Sequence, residues 1–184
     1  MLNVAPTQLP EVLVLEYALT TESRGFSHAT FSKSELHVAG IVMDVVEENV
    51  YCPRKAGTLY GIHFQNDPFA QGKLLYCIQG HGLDFAVDLR KDSPTYKQWV
   101  CVELSAENRK QIYIPKGFGH AFLSLQDDTK VVMRIDRCFD PAYARAIAWN
   151  DPDLAIDFPI KNPVLAQHDI KAPLLRDSDC NLQK

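Results

Sequence analysis

The chain has no apolar run of 18 residues, and its N-terminus, Met1-Leu2-Asn3-Val4-Ala5-Pro6, lacks a basic region followed by an apolar core. Neither a membrane-spanning helix nor an export signal is expected from such a sequence. Positive charge is not in surplus either: 19 Lys and Arg stand against 23 Asp and Glu, dispersed along the chain, for a net charge of -4. A nucleic-acid partner would call for a basic patch or stripe, so that class is set aside. The five cysteines, Cys52, Cys77, Cys101, Cys138 and Cys180, are odd in number and contain no C-x-x-C. A reduced, cytosolic protein is the simplest reading.

Several catalytic signatures are also missing. There is no Gly-x-Ser-x-Gly elbow and no glycine loop to cradle phosphate. The pattern that would support a metal, His-x-His with a carboxylate a few residues on and a further His, is absent, so no metal is expected. With 184 residues and no repeat, low-complexity tract or linker, residues 1–184 read as one domain.

What is present is strand. Val12–Leu15, Ile41–Val46, Leu74–Ile78, Leu83–Leu89, Trp99–Leu104, Gln111–Ile114, Ala121–Leu125 and Lys130–Ile135 are short and rich in β-branched or aromatic residues. Turn signals such as Gly80-His81-Gly82, Asp92-Ser93-Pro94 and Pro115-Lys116-Gly117 separate them, which predicts an all-β sandwich or barrel. Helix is confined to Lys33–Ala39, closed by Gly40, and to a turn or two over Pro141–Arg145. The proline-bearing stretch from Asn150 onward reads as irregular chain laid across the barrel.

Chemistry points to histidine. His28, His37, His81 and His168 lie in polar or turn-like surroundings that suit solvated side chains. His63 and His120 sit beside glycine in apolar segments, Gly61-Ile62-His63-Phe64 and Gly117-Phe118-Gly119-His120-Ala121-Phe122. Either is a hydrogen-bonded core histidine or part of a site. Lys73 follows His63 by ten residues, and a base beside a cation can take a proton next to a carbonyl and hold the enolate.

Six blocks in order carry a resemblance. They are Arg24-Gly25-Phe26, Arg54 through Gln65, Ala70-Gln71-Gly72-Lys73, Asp88 through Thr95, Ile114 through Phe122, and Asp151 through Asp157. Together they resemble the dTDP-4-dehydrorhamnose 3,5-epimerase family over nearly the whole chain. The resemblance implies a jelly-roll (cupin-type) homodimer that epimerises a nucleotide-linked 4-keto-6-deoxyhexose without metal or organic cofactor. Such enzymes usually serve a cell-surface polysaccharide or a glycosylated metabolite. By the match, His63 is the base, Asp169 the carboxylate that orients it, and Lys73 the cation facing the C4 oxygen. His120 and Gln65 match the pocket, Asn49 lies near the nucleotide, and Arg24 and Phe26 reach into the neighbouring subunit's site.

The departures are as informative. Met133 stands where the family has the tyrosine that serves as acid opposite the histidine, and a thioether has no proton to give. Phe139 replaces a second tyrosine and Ala144 a glutamate, while Tyr60 and Ile170 replace arginines and Ala29 a glutamate. Losing two arginines weakens a diphosphate site unless Arg54, Lys55 or Lys171 substitutes, and the nucleotide is left open. Three functions remain: a single-centre epimerase acting at C3, a full 3,5-epimerase with a relocated acid such as Tyr60 or Tyr76, or a non-catalytic sugar-nucleotide-binding subunit.

Overall fold

Alternating apolar residues need a partner surface on each side, and in the computed structural model, which describes residues 1–184, the strands supply it to one another. In chain order these are β1 (Leu2–Pro6), β2 (Leu13–Tyr17), β3 (Thr20–Glu22), β4 (Gly25–Ser27), β5 (Glu47–Tyr51), β6 (Leu59–Gln65) and β7 (Lys73–Gln79). There follow β8 (His81–Asp88), β9 (Trp99–Ser105), β10 (Gln111–Ile114), β11 (Phe118–Ser124), β12 (Lys130–Ile135) and β13 (Ala144–Ala146). One sheet runs β1-β2-β10-β7-β12-β5 and faces a second running β13-β6-β11-β8-β9, while β3 and β4 form a separate hairpin. This is the all-β jelly-roll arrangement implied above, and no helix is long and apolar enough to cross a membrane.

The strand parities sort the side chains into three layers. Between the sheets lie Leu75, Cys77, Ala86, Ile112, Phe122, Val131 and Met133. Behind the first sheet, Leu15 and Leu74 pack against Leu36, Ile41 and Met43. Leu36 belongs to α1 (Lys33–Val38), whose cap Ser32 accepts from the Glu35 N–H, and Gly40 at φ +79 turns the chain out of it. Behind the second sheet, Leu59, Ile62, Phe85, Val87 and Leu123 are covered by Ile147, Leu154, Phe158, Leu175 and Leu182. The irregular C-terminal chain therefore lies across the barrel, and each such side chain stabilises it by about 1.5–3 kcal/mol. Asp151 fastens that strap, accepting from the N–H groups of Asp153, Leu154 and Leu175.

Two expectations need correction. Ile41–Val46 is not a strand: its alternation is real, burying Ile41 and Met43, but it lies on the face of the sheet, and ladder pairing with β12 begins only at Glu47. Pro141–Arg145 is not helical either, because after a turn the chain extends and pairs with β6, Arg145 opposite Phe64. The five cysteines are all unpaired.

A buried ionic knot fixes the start of β11. The Arg90 guanidinium donates to Asp88 and Glu11, and it lies 4.5 Å from the ring centroid of Phe118. A Cβ on Gly117 would come within 2.4 Å of the Arg90 Cδ, so glycine is needed there, at φ +91. Burial pushes the Asp88 carboxyl up, but hydrogen bonds from Arg90, Ser93 and Thr95 outweigh it and hold the pKa at about 2.

A depressed carboxylate pKa stabilises the fold above its unfolded value, and that stability disappears as pH falls through the folded one. Asp88→Asn is expected to cost roughly 2–3 kcal/mol at neutral pH and to flatten the loss of stability between about pH 4 and pH 2. Urea unfolding at several pH values reads both effects, and an unchanged acid slope would contradict the assignment.

Candidate active site

A cavity of about 620 Å³ opens between the two sheets at the end where β5, β6, β7 and β12 meet. From the second sheet come Tyr60, His63, Gln65 and His120, and from the first come Tyr51, Lys73, Leu75, Val131 and Met133. His63 and His120 stand opposite each other in the β6–β11 ladder, which slips between His120 and Phe122. Gly61 permits this close approach, since a Cβ there would fall 2.4 Å from the His120 carbonyl oxygen.

Asp169 arrives from α2 (Gln167–Ile170), on the strap that Asp151 fastens. Its buried carboxylate accepts from His63 Nε2 at 2.5 Å, which sets the tautomer and leaves His63 Nδ1 as a proton acceptor. A neighbour not anticipated from the sequence, His168, lies beside the pair: its ring, tilted by 31°, has its centroid 5.3 Å from that of His63, and its Nε2 is 3.4 Å from Asp169. Reading it as solvated was right about exposure and missed its place at the cavity mouth. His63, His168 and Asp169 donors all lie within 4.8 Å of one another. The 2.5 Å His63–Asp169 contact is that of a hydrogen bond, shorter than the separation of about 3.3 Å between two ligands of one tetrahedral zinc.

At the cavity floor Lys73 is buried, its ammonium donating to the His63 carbonyl at 3.2 Å. Burial lowers its pKa to about 8, with the negative charge of Asp84 pulling the other way. Asp84 itself, fully buried on β8, is pushed up by that burial against the attraction of His120 and Lys73. It also accepts from His120 Nε2 at 3.0 Å, and burial lowers the His120 pKa. Asp84 was not anticipated, although its signal was present: an acid in an apolar strand at the inward parity of Ala86.

The remaining expected residues divide. Tyr60 and Met133 line the cavity. Gln65 does too, but its amide is engaged with Phe69 O, Cys138 O and Asp140 N, so it braces the rim. Asn49 lies on β5 opposite Met133, donates to Glu47 and does not line the cavity. Arg24 and Phe26, on the β3–β4 hairpin, do not line it either, and Phe26 is 62% exposed. Tyr76 does not fit as an acid, because it has the opposite parity to Leu75 on β7 and does not line the cavity. Of the expected replacement cations, Lys55 is paired with Asp127 away from the cavity, while Lys171 lines an adjoining space of about 410 Å³.

The family model described as dTDP-4-dehydrorhamnose 3,5-epimerase matches residues 6–177. The enzyme of that name from Shigella flexneri is 38% identical over 179 residues, 97% of this chain and 98% of its own. The dTDP-4-dehydrorhamnose 3,5-epimerase structure from Bacillus anthracis, with TDP and PPi bound, superposes with a TM-score of 0.92 at 39% identity, covering 95% of this chain and 99% of that one. ChmJ from Streptomyces bikiniensis, a 3'-monoepimerase solved with dTDP-quinovose, superposes at 0.85 with 35% identity over 93% and 87% of the two chains.

The buried cluster makes a measurable claim. The Lys73 ammonium is expected to titrate near pH 8, charged below and neutral above. Asp84→Asn removes the anion that favours the charged form, so the Lys73 pKa falls further. Carbon-13 NMR of labelled lysine reads the shift, and a rise in that variant would overturn the charge assignment.

Proposed function

The chain belongs to the dTDP-4-dehydrorhamnose 3,5-epimerase family, and from that membership we propose a single-centre enzyme that inverts C3 of a nucleotide-linked 4-keto-6-deoxyhexose. The family consists of sugar-nucleotide epimerases, which are isomerases. The C4 ketone acidifies the hydrogens on its neighbouring carbons, and His63 Nδ1 takes the one at C3 while Asp169 holds the resulting imidazolium. Electrons from the broken C–H bond pass to the C4 oxygen as an enolate, which the Lys73 ammonium stabilises from the floor. Protonation of C3 from the opposite face completes the inversion.

The observation that carries the single-centre reading is Met133. Base, carboxylate and cation are assembled, while Met133, which by the sequence resemblance stands where the family has its acidic tyrosine, lines the cavity wall with a thioether. The same fold hosts a single-centre enzyme, the 3'-monoepimerase ChmJ, alongside 3,5-epimerases, so one inverted centre is compatible with it. The substrate's phosphates would lie toward the mouth, where Lys171 and Arg145 border the adjoining space. The whole chain, 1–184, acts as one domain on this reading, located in the cytosol.

In deuterated water, a nucleotide 4-keto-6-deoxyhexose is expected to gain solvent deuterium at C3 with inversion and little at C5. Efficient labelling and inversion at both carbons would sink the single-centre reading in favour of the full 3,5-epimerase. Tight binding without exchange, unaffected by His63→Ala, would favour a non-catalytic subunit.

The β3–β4 hairpin suggests how a homodimer completes the site. Arg24 and Phe26 stand clear of their own cavity, with the Arg24 side chain 83% exposed, as a pair that serves a neighbour would. Mixing an Arg24→Ala/Phe26→Ala chain with a His63→Ala chain is expected to restore activity, because one site of each mixed dimer has both intact halves. No recovery after subunit exchange, verified by light scattering, would show that each chain works with its own hairpin.

A further inference from the structure

The proton that His63 removes must be replaced on the far side of the carbon, and the two-sheet construction says where to look. His63 stands on β6 of the second sheet, so the donor has to come from the first. Along that wall the cavity is bordered by Lys73, Leu75, Val131, Met133 and Tyr51. Leu75, Val131 and Met133 have no exchangeable proton, and Lys73 is committed to the enolate oxygen and the His63 carbonyl. Tyr51 is left. It occupies the last position of β5, opposite Val131, while Met133 faces Asn49 one inward position along the same ladder.

We propose that Tyr51 is the catalytic acid of this enzyme, its phenol taking over on β5 the role that Met133 cannot perform on β12. Resting on the reading that His63 starts the reaction, the step balances as follows. The enolate re-forms its C4 carbonyl, its carbon takes the proton of the Tyr51 O–H bond, and a phenolate remains. The His63 imidazolium then returns its proton to the phenolate through water at the open mouth, and both groups are restored. Nothing is oxidised or reduced.

Three features fit this role. Tyr51 lines the cavity and its hydroxyl is held by no hydrogen bond within the chain, so its proton is available to a bound substrate, whereas Tyr76 does not line the cavity. The Tyr60 ring meets the Tyr51 ring edge-on, centroids 5.5 Å apart, which restricts the swing of the phenol. Burial, with help from Glu47 and Tyr60, pushes the Tyr51 phenol above its ordinary value, so it enters the reaction protonated. Tyr60 also bears a phenol, but it projects from β6, the strand of the base itself, on the side of the cavity from which the proton is taken.

Tyr51→Phe separates the two halves of the reaction. The inversion rate is expected to fall about 100-fold or more, while deuterium still enters C3 with retention, because His63 can remove and return a proton on its own face. Placing Met133→Tyr in the Tyr51→Phe background is expected to recover inversion at least tenfold. Inversion at the parent rate in Tyr51→Phe, loss of exchange together with inversion, or no recovery in the double variant would each overturn the proposal. If exchange in the parent enzyme survives His63→Asn, it is the underlying assignment of the base that fails, which sets the two failures apart.

Discussion

An ammonium buried between two sheets has to be kept charged, and much of the interior is arranged around that requirement. Lys73 is almost wholly buried at the cavity floor, and a lone charge in such a place would be pushed to give up its proton. Asp84 supplies the countercharge from the facing sheet, His120 bonds the Asp84 carboxylate, and the His63 carbonyl takes one ammonium hydrogen. The result is a cation balanced near pH 8 that is not neutralised by a direct carboxylate contact. Such a group retains attraction for charge that develops only during reaction, as enolate stabilisation demands.

The same interior sets the relation between base and carboxylate. His63 belongs to a strand, whereas Asp169 belongs to a segment with almost no regular structure, so their 2.5 Å contact depends on the strap being held. Burial of Leu154, Phe158 and Leu175 against the second sheet provides the holding, and Asp151 joins two points of the strap through its carboxylate. Residues far from the cavity thereby determine whether His63 has the correct tautomer. His168 shares the carboxylate from the exposed side and marks where the site meets solvent.

Much of this was legible in the chain, and the illegible parts have physical reasons. Apolar alternation located β2, β7, β10 and β12 of the first sheet and β8, β9 and β11 of the second, whose inward residues form the cores, but it passed over β1, β5, β6 and β13. The same alternation misled at Ile41–Val46, where an extended segment lies on a sheet without joining it, and periodicity cannot tell these apart. Two family-like blocks, Asp88 to Thr95 and Ile114 to Phe122, turn out to meet in the Arg90 knot and the glycine packed against it. Asp84 and Tyr51 escaped notice because their significance is spatial. One is an acid facing a lysine across the barrel, the other a phenol on an edge strand opposite a histidine 12 residues later in the sequence.

If Met133 stands in place of a tyrosine, as the proposed reading has it, that also bears on how many centres can be inverted. Paired strands lie about 4.7–4.9 Å apart, and diagonal positions across a pair are separated by roughly 7–8 Å. Tyr51 is diagonal to Met133 in the β5–β12 ladder, so its phenol enters the cavity from a strand farther toward the edge. C3 and C5 flank the C4 carbonyl on opposite sides of one ring, and a donor that serves both must approach near their midline. A donor displaced sideways meets one carbon in line and the other obliquely, while His63 and Lys73 keep their places. On the proposed reading, loss of the tyrosine and restriction to a single centre are consequences of the same shift of one hydroxyl between neighbouring strands.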